Sequence, residues 1–126
     1  MGALVVDASV VIAVSRHRDP PHEAASKLVA RWPRARALLP AVAYSEVMVE
    51  PLRLGRGDAR DRELREAGFE IVPVGERIAR EAARARAERP GLRLPDALVI
   101  ATALVHGAEL ATLDRRMLAA FDDLKG

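Results

Sequence analysis

The 126-residue chain contains no cysteine. Disulfides, a thiolate nucleophile and Cys-based zinc ligation are therefore excluded. The three histidines, His17, His22 and His106, are scattered along the chain, so a histidine zinc site is not expected either. Aromatic residues make up only 3% of the sequence, which points to a core of Val, Leu, Ile and Ala. Trp32, Tyr44, Phe69 and Phe121 are the only side chains that could stack on nucleobases, and most of them are expected inside. Lysine is nearly absent: Lys27 and Lys125 are the only two among 20 basic residues. No run approaches the ~20 apolar residues of a membrane span, so no membrane association is expected. The apolar N-terminal stretch MGALVVDASVVIAV is interrupted by Asp7 and carries no basic leader or cleavage site. A signal peptide is not expected, and a cytoplasmic protein is.

Half the residues are hydrophobic and 30% are charged, a composition suited to a soluble globular fold. The length suits one domain spanning residues 1–126. The formal net charge of +2 and sequence pI near 9.6 are compatible with a polyanionic partner without demanding one. Arginine recognises phosphate in a bidentate way that lysine cannot, yet GC-rich codon usage explains an arginine excess equally well. Arg77, Arg80 and Arg84 share a helical face, and Arg56, Arg60, Arg62 and Arg65 cluster after a Gly turn. Either set could contact phosphates. Either could also be a solvated face laced by Glu76, Glu81 and Glu88, or by Asp58, Asp61, Glu63 and Glu66.

The pattern reads as alternating strands and helices. Short apolar or alternating runs at Ala3–Val6, Ala35–Leu39, Phe69–Val74 and Glu109–Leu113 predict strands. Helices are expected over Ser9–Val14, His22–Trp32, Ala41–Leu54, Asp58–Ala67, Glu76–Arg89 and Pro95–His106, with a last short one opened by Asp114. Pro51 should end or kink the third helix near Glu50. Strands separated by helices imply a parallel sheet covered on both faces, with ligands beyond the carboxyl ends of its strands.

Four acids stand out, although each has an ordinary structural explanation when taken alone. Asp7 follows the first strand and could cap a helix. Asp96 lies in a first helical turn, where the helix dipole favours it. Asp114 precedes Arg115-Arg116-Met117-Leu118 and could cap the last helix. Glu46 shares a stripe with Glu50 and Arg53, consistent either with a solvent-facing ion pair or with a buried functional acid. Together they suggest more. Asp7 and Asp114 fall just past strand ends that share one sheet edge, and Glu46 and Asp96 lie on helices that could lean over it. Gathered carboxylates repel one another, and a divalent cation removes the conflict. Oxygen-only ligation suits Mg²⁺ or Mn²⁺. Such a site can hydrolyse a phosphodiester without a side-chain nucleophile.

The segments LVVDASVVIA with Asp7 and Ser9, LPAVAYSEVMVEPLRLG with Glu46, LPDALVIATAL with Asp96, and LATLDRRM with Thr112 and Asp114 resemble the successive motifs of PIN domains, in that family's order. The resemblance runs from residue 4 to about residue 117, and by length and pattern it is to stand-alone toxins of the VapC type. It implies a three-layer α/β/α fold with a four- or five-stranded parallel sheet. It also implies an endoribonuclease dependent on Mg²⁺ or Mn²⁺, a homodimer, and inhibition by a small cognate antitoxin. By position, Asp7, Glu46, Asp96 and Asp114 would be the catalytic and metal-binding acids, with Ser9 and Thr112 supporting them. Asp7 and Asp96 would ligate metal directly, Glu46 would ligate or orient the attacking water, and Asp114 would act directly or through water. Other readings are an RNA-processing nuclease without an antitoxin and a non-catalytic binding domain of the same fold. Where many relatives carry a further acid and an aromatic, this chain has Arg116 and Met117, which puts a fifth ligand and a second metal in doubt. The short C-terminus leaves little room for a fifth strand.

Overall fold

A computed structural model describes residues 2–16, 21–30 and 35–126. The elements run β1 (Ala3–Val6), α1 (Ala8–Ser15), α2 (Pro21–Ala30), β2 (Arg36–Pro40), α3 (Ala41–Arg53), α4 (Gly57–Glu66), β3 (Phe69–Val72), α5 (Glu76–Glu88), α6 (Leu94–His106), β4 (Glu109–Ala111) and α7 (Arg115–Leu124). The four strands found among the described residues form one parallel sheet in the order β3-β2-β1-β4. The expected α/β architecture is present, with four strands rather than five. The C-terminal residues that might have supplied a fifth strand form α7 instead, with Met117, Ala120 and Phe121 buried along one helical face.

Burial shows why the central strands are continuous apolar runs. Successive side chains of a strand point to opposite faces. Leu4, Val5 and Val6 of β1 are all buried, as are Leu38 and Leu39 of β2, so both faces of the sheet are covered. That makes the fold three-layered. Val99, Ile100 and Ala103 of α6 join the principal core, and Ala97 and Ala101 pack with Ile78 and Ala82 of α5 in a second cluster. The edge strand β3 is only partly buried, and it stops before Pro73, which has no N–H to continue a ladder.

Two sequence expectations shift. The third helix does not end near Glu50: Pro51 lies inside α3, which continues to Arg53. A proline this close to a helix end costs little, because the turn is closed beyond it by Leu54 N–H to Glu50 O and Arg56 N–H to Pro51 O. The last helix is not short, running ten residues. The expected end of the second helix at Trp32 and Pro33 lies outside the described residues.

The order of strands has a consequence for function. From β1 the chain moves outward to β2 and β3, then returns to place β4 on the other side of β1. The reversal falls between β1 and β4, and at such a reversal a crevice opens beyond the carboxyl ends of the strands. Helix α6 must therefore stop cleanly so that β4 can enter beside β1. Gly107 adopts φ 58° just past the helix, with Gly107 N–H on Leu104 O and Ala108 N–H on Ala103 O. An added Cβ would meet nothing within 4 Å, so its cost is purely conformational. Gly107→Ala should lower unfolding stability by about 1 kcal/mol, measurable by urea denaturation.

Candidate active site

The hydrogen-bond ladder between β1 and β4 continues one step past the strands, with Asp7 N–H donating to Ala111 O at 2.9 Å. Asp7 occupies the N-cap position of α1, but its carboxylate makes no capping hydrogen bond. Its Oδ2 instead accepts from Ser9 Oγ at 2.8 Å and from Thr112 Oγ1 at 2.9 Å. Both hydroxyls also accept backbone N–H groups of the turn after β4. Leu113 N–H reaches Ser9 Oγ at 3.3 Å, and Asp114 N–H reaches Thr112 Oγ1 at 3.1 Å. A hydroxyl has one proton to donate, so these donations direct both protons at Asp7. The carboxylate is thus held by one oxygen, and Oδ1 makes no hydrogen bond among the described residues.

Asp114 does cap its helix: Oδ1 accepts Arg116 N–H at 2.9 Å and Met117 N–H at 3.1 Å. The structural reading is correct for that oxygen, and it also fixes the carboxyl group at the mouth of the crevice. Asp96 enters from the first turn of α6, directly after Pro95, and no side chain caps that helix. Glu46 comes from α3. The stripe of Glu46, Glu50 and Arg53 does not form the ion pair that its spacing allows. Glu50 pairs with Arg16 at 2.7 Å, and Glu46 has no ion pair among the described residues.

The electrostatics place these acids together. Burial raises the Glu46 carboxyl above its ordinary value, and the negative charges of Asp7 and Asp96 raise it further against an opposing effect of Arg93. Asp96 is likewise raised by burial, with Arg93 acting the other way and Asp7 and Asp114 adding repulsion. All four sequence-selected acids therefore feel at least one other member of the set. Arg93 was not singled out by the sequence, although it stands three residues before Asp96 in LRLPDAL and, among the described residues, is the cation that acts on that acid. Arg116 contributes its backbone to the Asp114 cap, while Met117 is buried in the core, so neither position supplies a further acid to this edge.

The donor set is suited to a hard cation. It is made only of carboxylate oxygens, with hydroxyls behind one of them. Among the described residues, no three His, Asp or Glu side chains converge closely enough to enclose an ion by themselves. That arrangement fits Mg²⁺, which keeps several waters and takes one or two carboxylates together with substrate phosphate, better than it fits a cation needing a closed cage.

Two measurements test this geometry. Thr112→Val keeps the shape of a buried side chain but removes a donor to Asp7 and an acceptor for Asp114 N–H. Unfolding stability should fall by about 1–2 kcal/mol, readable from thermal or urea melts. The second concerns pH. The folded-state values of Glu46 and Asp96 lie above the ordinary 4.5 and 3.8, so the folded protein binds more protons than the unfolded chain between those values and the raised ones. Ionising both groups as pH rises through that window therefore destabilises the fold. In chelator, the melting temperature of the wild type relative to a Glu46→Gln/Asp96→Asn variant should decline as pH climbs above about 4. Mg²⁺ should reduce that decline. Asp61, Glu70 and Glu81 are lowered by their partners and titrate in the opposite sense, but they are common to both proteins and cancel in the difference.

A sequence model described as the PIN domain matches residues 4–124. No curated protein matches in sequence. Among solved structures, a toxin–antitoxin complex from Klebsiella pneumoniae superposes with a TM-score of 0.78 at 26% identity, covering 93% of this chain and 91% of that one. VapC20 from Mycobacterium tuberculosis, a toxin that cleaves the sarcin–ricin loop, superposes at 0.76 and 18% identity over 94% and 95% of the two chains. FitAcB from Neisseria gonorrhoeae superposes at 0.72 and 22% identity over 94% and 93%. With four acid-bearing motifs, a three-layer fold and a family match across nearly its whole length, the chain belongs to the PIN domain family.

Proposed function

We propose that the protein is a divalent-metal-dependent endoribonuclease of the VapC type, the toxin partner of a toxin–antitoxin pair. What supports this reading is the mutual charge among the acids, with Asp7 and Asp96 acting on Glu46 and Asp7 and Asp114 acting on Asp96, beside the strand end that holds Asp7 in its hydroxyl network. Like charges are not brought together in a stable fold without a use for them, and neutralisation by Mg²⁺ or Mn²⁺ is the simplest use.

The reaction is hydrolysis: water adds to a phosphodiester phosphorus, the bond to one ester oxygen breaks, and a proton passes from water to the departing oxygen. A bound divalent cation supplies Lewis acidity that stabilises charge on the phosphate and the leaving oxygen. Asp7, held through Oδ2, and Asp96, at the start of α6, would be the carboxylates that hold the cation. Glu46, with its raised affinity for protons, is suited to orient water and accept its proton. Asp114, fixed through its cap, would contribute directly or through water. Ser9 and Thr112 orient Asp7, and groups in that position commonly affect metal affinity or activity by about 10–100-fold.

The antitoxin partner rests on the likeness to solved toxin–antitoxin complexes, including the Klebsiella complex at 26% identity. A homodimer and action in the cytoplasm complete the proposal. Among the described residues, no helix is long and apolar enough to cross a membrane.

Purified protein should cleave RNA with Mg²⁺ or Mn²⁺ and stop in chelator. Asp7→Asn and Asp96→Asn should each lower kcat at least about a hundredfold, and Thr112→Val about tenfold. Cleavage by both Asn variants at the wild-type rate would assign the activity to another site or to a contaminant.

A further inference from the structure

A carboxylate centre that hydrolyses phosphodiesters can use one divalent cation, or two held about 3.5–4 Å apart with carboxylates reaching across both. Two of the four acids here lack the freedom to reach across. Asp7 Oδ2 accepts the hydroxyls of Ser9 and Thr112, and Asp114 Oδ1 accepts the amides of Arg116 and Met117. Two donors fill both lone pairs of a carboxylate oxygen, so each of these acids keeps one oxygen for a metal. Glu46 and Asp96 are the members with no hydrogen bond on either oxygen among the described residues.

Asp96 already has a cation of the chain beside it. Arg93 holds the N-cap position of α6, three residues before Asp96, and its carbonyl accepts Ala97 N–H at 2.9 Å. The turn leading to it is pinned twice, by Leu92 N–H on Arg89 O at 2.9 Å and by Arg86 Nε on Leu92 O at 3.1 Å. Arg93, Asp96 and Asp114 line one groove of about 730 Å³ between that turn and the start of α7. The guanidinium nevertheless makes no ion pair or side-chain hydrogen bond among the described residues. Arg62, Arg77 and Arg80 are equally without an ion pair, but Arg93 is the cation whose charge reaches both Glu46 and Asp96. A positive charge fixed near carboxylates without touching them leaves their oxygens open to a metal ion while repelling it.

We propose that the site takes a single divalent cation, and that Arg93 supplies, beside Asp96, the positive charge that a second ion would bring. The inference rests on the metal-dependent reading of the four acids and adds to it a stoichiometry and a cause. Arg93 weakens the hold on the first ion and keeps out the second, so it sets the metal requirement of the site without ligating anything.

The probe is Mn²⁺ alone. Full-length protein stripped with chelator and dialysed is titrated near neutral pH at low salt, with free Mn²⁺ read from its electron paramagnetic resonance signal and binding heat read by calorimetry. The wild type should saturate at one Mn²⁺ per chain. Arg93→Gln should bind that ion about three- to tenfold more tightly, and the gain should shrink as salt screens the lost charge. Arg93→Lys, which keeps the charge, and Arg77→Gln on α5, which lines no part of this groove, should both stay within about twofold of the wild type. Melting curves in chelator establish that each variant is folded. Two ions of similar affinity on the wild type would overturn the inference. So would an Arg93→Gln variant that binds no more tightly, or a Lys variant that behaves like Gln. RNA cleavage by the same samples separates the two readings. A wild type that binds no Mn²⁺ defeats the metal-dependent reading and the inference together. One that binds a single Mn²⁺ but cleaves no RNA defeats only the nuclease reading, and an active one that binds two defeats only the inference.

Discussion

Repulsion among carboxylates is the constraint around which the crevice is organised. Asp7, Glu46, Asp96 and Asp114 come from β1, α3, α6 and the turn after β4, separated by long stretches of chain. Burial and mutual charge push Glu46 and Asp96 toward holding their protons. The described residues supply little relief of their own, because Arg93 is the cation that opposes these shifts and it makes no ion pair among them. In the proposed function, the remaining stabilisation is the part that a divalent cation and a phosphate-bearing strand would supply. A site in this condition trades some stability of the unliganded fold for affinity toward what completes it.

Precision at the site comes from a small network instead of from packing. Ser9 lies in the first turn of α1 and Thr112 just past β4, and each links a backbone N–H of the β4–α7 turn to the same Asp7 oxygen. The turn that positions Asp114 is therefore the turn that positions Asp7. Disturbing Thr112, which is buried, would alter both acids at once. Two acids with similar local contexts are also used differently. Both occupy N-cap positions, but Asp114 spends one oxygen on capping amides, whereas Asp7 spends one on hydroxyls and none on its helix.

Much of the fold was legible from local pattern. The continuous apolar run ALVV announced a strand buried on both faces, the segment Ala35–Leu39 announced the second strand to within a residue at each end, and Gly107 announced the end of α6. The misjudged boundaries have local physical reasons. Pro51 ends a helix only when bonds beyond it are also lost, and here Leu54 and Arg56 N–H groups close the turn. The helix expected after Asp114 was read as short, and burial of Met117, Ala120 and Phe121 along one face carries it to Leu124.

Sequence alone determined the kinds of chemistry open to this protein: no thiol, few imidazoles, and acids at the ends of strands and the starts of helices, in the order of a known family. It could not determine which acid cap is spent on a helix and which is free, because an N-cap aspartate looks the same in either role. Nor could it separate arginines that neutralise a neighbouring carboxylate from those left facing a groove, since Arg65 and Arg60 stand in the same charged stretch with different outcomes. The use of Asp7 depends on Thr112, far away in the chain, and only the strand order β3-β2-β1-β4, which sets β4 beside β1, brings the two together; the arginine pairing is a matter of side-chain placement even between near neighbours such as Arg65 and Asp61.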